Sequence, residues 1–456
     1  MRIHFIGIGG IGVSALARYY LEKGGEISGS DLVSSEITNA LEKRGAKIII
    51  GKHKAKNLPK NADLVIYSPA IQSDNPELQK AIKCKLKIKS YPQALGELTK
   101  KYFTIAVCGS HGKSTVAAMI GLLLERAGLD PTVILGTKLK EFGDANCRMG
   151  KSKYLVIEAD EYKESFLNYW PKIIVLTNLE PDHLDYYRNF KNYILAFKKF
   201  IAHLPKDGWL IANKDDKKVY TIFLTIAKNV LFYSLREKEA KKIKEILKVP
   251  GEFNVSNALA TLKVAWILKI PNKTSFKALS KYKGSWRRFD ERNIKLKTKS
   301  FKLINDYGHH PTQIKATLKA AREKYPKKKI FCIFQPHQYQ RTYYLFEDFV
   351  KTFKEVLMRK WVDKLIITDI YDVAGREDKT IKKKVNSQKL IKAVNAQLPK
   401  KVHKRETIVC HLCNGEYIAD VERVVSFLKK SLRGGEVVIA MGAGNIYNLF
   451  NFFKTR

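Results

Sequence analysis

Seven consecutive residues, Gly109-Ser110-His111-Gly112-Lys113-Ser114-Thr115, carry the most specific chemical signal in the sequence. They follow the apolar run Phe103-Thr104-Ile105-Ala106-Val107-Cys108 and lead into a helical pattern that ends near Gly128. A glycine turn between a strand and a helix lets backbone amides cradle phosphates, while a lysine such as Lys113 neutralises the terminal ones and a hydroxyl such as that of Ser114 reaches magnesium. The longer form of this loop has glycine at the position of Val107, so the run here is the shortened G-x-x-G-K-S.

A second glycine turn, Gly7-x-Gly9-x-x-Gly12, lies between the strand-like Ile3-His4-Phe5-Ile6 and a helical stretch from Val13 to Leu21. Asp31 ends the next strand, roughly where a dinucleotide fingerprint puts its ribose-binding acid. Small residues let the backbone approach a diphosphate there, and the helix amino terminus adds positive potential. A dinucleotide, a UDP-sugar and a merely tight turn all fit this pattern. An NAD-dependent oxidoreductase would need only this turn. Two phosphate loops imply two phosphorylated ligands, and binding of ATP with magnesium, as against NAD, separates the readings.

Acidic residues cluster after two buried strands. Glu158-Ala159-Asp160-Glu161 follows Tyr154-Leu155-Val156-Ile157, and Asn178-Leu179-Glu180-Pro181-Asp182-His183 follows Ile173-Ile174-Val175-Leu176-Thr177. Oxygen ligands beside an ATP site suit hard magnesium, and His183 can complete a second metal position. Carboxyl ends of strands are where open α/β sheets place their chemistry.

Repeated units of strand, glycine turn and helix position these groups, and they predict parallel α/β sheets throughout. At 456 residues the chain suits two or three domains. Three blocks separate: residues 1–98, 99–286 and 287–456, the last with strands at Phe301–Ile304, Ile330–Phe334 and Val437–Ala440. No apolar stretch is long enough for export or for spanning a bilayer, which predicts a cytoplasmic protein without membrane insertion. The net charge of +40 is spread over nearly every segment. That distribution fits solvated faces better than a nucleic-acid surface, although the field would draw in anionic ligands. Among six cysteines, Cys108 and Cys332 sit in apolar runs, and the lone Cys410-x-x-Cys413 lacks the second pair a zinc site needs.

Along its whole length the sequence resembles the Mur ligase family. The loop around Lys113, the Glu158–Glu161 segment and the Asn178–His183 segment are similar to its ATP loop, magnesium segment and Asn-x-x-x-Asp-His motif. Phe253-Asn254-Val255-Ser256-Asn257-Ala258 resembles its adenine-contacting stretch, and Arg287-Arg288-Phe289 its hinge arginine pair. Four more strings are similar to the alanine-adding branch: Gly7 to Gly12, Asp306-Tyr307-Gly308-His309-His310-Pro311, Gln335-Pro336-His337-Gln338-Tyr339-Gln340-Arg341-Thr342 and Gly442-Ala443-Gly444-Asn445-Ile446.

The resemblance implies a UDP-sugar domain, an ATPase domain and a Rossmann-like domain that closes over them. It implies ATP and Mg2+ as cofactors and joining of L-alanine to the carboxylate of UDP-N-acetylmuramate through an acyl phosphate, by a monomer or weak homodimer. Lys113, Glu158 and His183 take the catalytic roles, with Ser114, Glu158 and His183 on the metal. ATP falls to Gly109 through Thr115 with Asn257 and Arg288. The sugar nucleotide falls to Gly9, Gly10, Gly12, Asp31 and Ser68, and the amino acid to Tyr307, His309 and Arg341.

Two departures bear on specificity. Some relatives carry arginine where Gln338 stands, which leaves Arg341 to pair with the amino-acid carboxylate. The stretch Glu161-Tyr162-Lys163-Glu164-Ser165-Phe166 is similar to a sister ligase that attaches a recycled tripeptide to the same sugar. Lys198, at the spacing of a carbamylated lysine in other members, is read as one of a solvated pair with Lys199 and left out of the site. Folylpolyglutamate- or cyanophycin-type enzymes would share the ATP loop without needing the amino-terminal glycine turn. A basic nucleic-acid-binding protein is the rival from another class, marked by salt-dependent DNA retention without ATP turnover.

Overall fold

The computed structural model describes residues 1–224, 226–295, 299–373, 379–399 and 414–453. Three α/β sheets follow one another along the chain. The first holds β1 (Arg2–Ile6), β2 (Glu26–Asp31), β3 (Lys47–Ile50), β4 (Leu64–Tyr67) and β5 (Ile88–Ser90), all parallel, in the order β3-β2-β1-β4-β5. The second holds β6 (Phe103–Cys108), β7 (Thr132–Leu139), β8 (Ala145–Arg148), β9 (Tyr154–Glu158), β10 (Ile173–Leu176), β11 (Trp209–Asn213) and β12 (Val230–Tyr233), in the order β12-β11-β10-β6-β9-β7-β8. The third runs β13-β14-β18-β15-β16-β17, with β13 (Asp290–Lys295), β14 (Ser300–Asp306), β15 (Ile330–Phe334), β16 (Lys364–Ile367), β17 (Glu416–Tyr417) and β18 (Val437–Met441).

Central strands are apolar from end to end because helices cover both faces of a parallel sheet. β10 and β18 are wholly buried. Where the expectation of parallel sheets throughout fails, the connection is too short for a crossover. β7 and β8 pair antiparallel across the link 140–144, and β13 pairs antiparallel with β14.

In each sheet the strand order switches direction about one strand, and this is where ligands of such sheets bind. β1 lies between β2 and β4, β6 between β9 and β10, and β18 between β14 and β15. The loops leaving those strands bring together residues remote in sequence.

The described chain forms two compact units, 1–248 with 254–285, and 249–253 with 286–456. The first two sheets thus share a unit. The predicted boundary at residue 98 falls inside the helix Tyr91–Lys101, which joins them. Gly96 in that helix lies so close to the Asn168 carbonyl that no Cβ would fit. Buried Asn146 on β8 donates to the Ile11 carbonyl at 2.7 Å and to Ser14 Oγ at 2.8 Å, tying the second sheet to the first helix of the first. Sequence patterning marks strands and helices but not such close packing between blocks. Among the described residues no helix is long and apolar enough to cross a membrane. Cys410 and Cys413 lie outside the described residues.

Candidate active site

Local geometry places the loop around Lys113. Gly109 has φ +125° and Gly112 φ +86°, a region that costs a side chain dearly. Asn257 Oδ1 would stand 2.6 Å from a Cβ at Gly112, so the predicted adenine-side residue touches the turn. The helix Lys113–Arg126 starts directly after it and buries Ser114 and Thr115.

The segment that follows β10 grips this turn. The amides of Ser110 and His111 bond to the carbonyl and Oδ1 of Asn178, at 3.0 and 2.8 Å. His111 Nε2 lies 2.9 Å from Glu180 Oε2. These bonds leave the Gly112–Lys113 end, at the helix amino terminus, as the part suited to a phosphate.

The predicted metal residues fall into two neighbouring groups. Ser114 Oγ donates to Glu158 Oε1 at 3.0 Å, while Glu158 Oε2 accepts the Gly136 amide at 3.0 Å. His183 stands with Asp160 and Glu161, each offering one ligand atom within 4.8 Å of the others. Its Nε2 is 4.0 Å from Glu161 Oε1, and its backbone is left-handed at φ +52°. Glu161, which motif reading did not place on the metal, thus also stands beside His183. Hard oxygens around a helix amino terminus, with one imidazole, form a donor set that fits magnesium.

Lys113 is pinned among these acids. Its ammonium is 2.8 and 3.0 Å from the two oxygens of buried Glu161 and 2.6 Å from the Gly109 carbonyl. Burial alone would lower its pKa, but Glu161, then Asp160 and Glu158, outweigh that and hold it above the usual lysine value. Burial pulls the Glu161 carboxyl upward, opposed first by Lys113. Glu161 is a site residue that motif reading quoted without a role, and Tyr193, which bonds to it, carries no sequence signal.

Around the first turn, Gly9 donates its amide to Asp31 Oδ2 at 2.8 Å, and a Cβ on Gly9 would sit 2.9 Å from that oxygen. Ser68 follows β4 and approaches Gly7, where a Cβ would stand 3.0 Å from that of Ser68. Gly12 faces Tyr91, whose hydroxyl would lie 2.9 Å from an added Cβ. Gly10 caps the helix Ile11–Glu22. All five predicted sugar-nucleotide residues thus sit at the β1, β2 and β4 ends.

The third sheet gathers its own set. Tyr307 and His309 follow β14, with ring centroids 5.3 Å apart, and His309 lies 6.0 Å from His337 after β15. Arg341 reaches back to His337 Nδ1 at 3.3 Å and Gln338 Oε1 at 3.0 Å. Of the arginine pair, Arg287 is buried and donates to the Gly442 and Gly444 carbonyls at 2.5 and 3.0 Å. Burial brings it down to about 10. Arg288 is partly exposed and lies 4.9 Å over the Tyr307 ring. Lys198 is exposed, and its neighbour Lys199 pairs with Glu164 at 3.5 Å.

Comparison with known proteins follows the same three-part order. Residues 2–103 match the model of the Mur ligase family, catalytic domain, residues 107–265 the Mur ligase middle domain, and residues 287–444 the Mur ligase, glutamate ligase domain. The chain is 39% identical over 480 aligned residues to the UDP-N-acetylmuramate–L-alanine ligase of Acetivibrio thermocellus, covering 99% of this chain and 95% of that one. A protein of the same name from Caldanaerobacter subterraneus is 39% identical over 472 residues, covering 98% and 96%. The crystal structure of a UDP-N-acetylmuramate–alanine ligase from Thermotoga maritima superposes with a TM-score of 0.78 at 26% identity, covering 99% of this chain and 98% of the other. With consecutive domain matches and relatives spanning nearly all of it, the chain belongs to the Mur ligase family.

Proposed function

We propose that this chain is a cytoplasmic ATP-dependent carboxylate–amine ligase, a monomer or weak homodimer, that joins L-alanine to UDP-N-acetylmuramate in peptidoglycan precursor synthesis. One observation carries the reading: a lysine-bearing glycine turn flanked by carboxylates and a second, lysine-free glycine turn end neighbouring sheets. The relatives' names supply the substrate identities.

Residues 1–98 take the sugar nucleotide at Gly9, Gly10, Gly12, Asp31 and Ser68. Residues 99–286 take ATP on the Gly109–Thr115 loop, with Asn257 for the base and Arg288 contributing a phosphate contact. Residues 287–456 take the amino acid, whose carboxylate suits Arg341 beside Tyr307 and His309. Ser114, Glu158 and His183 would hold magnesium, which when bound screens the triphosphate charge.

Lys113 stabilises the charge that spreads over the phosphoryl group as the muramyl carboxylate attacks the γ-phosphorus and ADP leaves. The L-alanine nitrogen then attacks the acyl carbon, gives up a proton, and expels inorganic phosphate to leave the amide. A substrate panel tests this: UDP-N-acetylmuramate and ATP with alanine, serine, glycine or the tripeptide, read as ADP formed. Alanine is expected to support the fastest turnover. The tripeptide reading, favoured only by the Glu161–Phe166 string, wins if tripeptide outpaces alanine.

A further inference from the structure

Lys113 has a partner that the phosphoryl-transfer reading does not use. In a phosphate loop the lysine charge serves the terminal phosphates, so a carboxylate that holds it is their competitor. Glu161 engages it with both oxygens, at 2.8 and 3.0 Å, and is itself fully buried. Nor is Glu161 free to drift. The Tyr193 hydroxyl donates to its Oε1 at 3.2 Å and lies 3.0 Å from Ser110 Oγ, and the Tyr187 hydroxyl donates to its backbone carbonyl. Hydrogen bonds thus form a ring from the Gly109 carbonyl through Lys113, Glu161 and Tyr193 to Ser110, beginning and ending in one glycine turn.

A buried carboxylate without a cation is strongly unfavourable, as is a buried ammonium without an anion. Each therefore fixes the other while no nucleotide is present. We propose that Glu161 is a positioning residue: the resting counter-ion that holds the Lys113 ammonium in place, and that an incoming polyphosphate displaces. This rests on the ATP reading of the loop. Nucleotide affinity then includes the cost of parting the pair, and weakening the pair raises affinity. A purely structural acid would act in the opposite direction.

The test titrates ADP, without magnesium, into the full chain carrying Glu161→Gln, with melting temperature and circular dichroism as checks of folding. The glutamine variant is expected to bind ADP about tenfold more tightly than the wild type, equivalent to about 1.4 kcal/mol. Glu161→Asp keeps the charge but withdraws it by one methylene. It is expected to tighten binding by a smaller factor, and it carries the test if the glutamine variant does not fold. Equal or weaker ADP binding by a folded variant overturns the proposal, and so does failure of both variants to fold, which would make Glu161 a keystone of the core. Absence of ADP binding by the wild type would instead overturn the nucleotide reading of the loop.

Discussion

The two glycine turns of the first unit share one layout and differ in what lies beside them. Each leaves a strand flanked by two parallel neighbours and opens a helix, and each has a fully buried glutamate nearby. Near the first turn, Glu77 accepts from His4 on β1, Ser30 on β2, His53 and Asn57, at 2.7 to 3.0 Å. Near the second, Glu161 is held chiefly by Lys113, the group the chemistry needs. One buried carboxylate is satisfied by several fixed polar groups and the other chiefly by the lysine of the glycine turn. On the proposed function, the same strand–turn–helix unit would hold a ligand in one sheet and transfer a group in the other. Residues flanking the glycines, not the glycines themselves, set that division.

The comparison breaks most visibly at Lys113. Lys113→Met should lower ADP formation by about 10³-fold or more, in line with loss of a principal electrostatic stabiliser, while UDP binding stays unchanged. Loss of both activities together would mean that the two turns are not independent.

Gly9→Ala probes the other side. Its Cβ would stand 2.9 Å from Asp31 Oδ2, and overpacking of this kind costs on the order of 1–3 kcal/mol. The KM for UDP-N-acetylmuramate should rise about tenfold or more, with ADP affinity unaffected.

Glu77→Gln should sharpen the contrast between the two glutamates. Burial pushes the Glu77 carboxyl up, but the hydrogen bonds from His4, Ser30, Asn57 and His53 outweigh it and hold it down to about 2 from an ordinary 4.5. A depressed acid contributes stability above its unfolded value and loses it as pH falls. Chemical denaturation should therefore show the wild type losing this contribution between about pH 4.5 and pH 2. The variant should be less stable by about 2 kcal/mol at neutral pH, with a flatter acid limb. ADP affinity is expected to be unchanged, opposite to the effect at Glu161.

The smallest effect is expected at Asn257. Its side chain meets Gly112, so Asn257→Ala should raise the KM for ATP by about fivefold, the loss of roughly one hydrogen bond, and leave kcat within about twofold.

Much of this arrangement is legible in the sequence because turn chemistry is local. Glycines at 7, 109 and 112 take positive φ, those at 9 and 12 lie too close to Asp31 and Tyr91 for a side chain, and flanking apolar runs announce the strands. What resists reading is pairing across the fold. Nothing in Glu158-Ala159-Asp160-Glu161 says which acid meets Ser114 and which meets Lys113, since that depends on where β9 ends. Tyr193 looks like any core aromatic until the helix Phe190–Ile201 lays its hydroxyl on Glu161. The merging of the first two sheets into one unit likewise rests on Asn146 and Gly96, whose roles appear only once the helices are packed.

Calorimetric titration of UDP-N-acetylmuramate into the protein, alone and then saturated with ADP and magnesium, tests most directly that the two turns hold two ligands at once. One sugar nucleotide should bind per chain with similar affinity in both experiments. Loss of sugar-nucleotide binding in the presence of ADP would place both ligands at a single turn and contradict the division drawn between them.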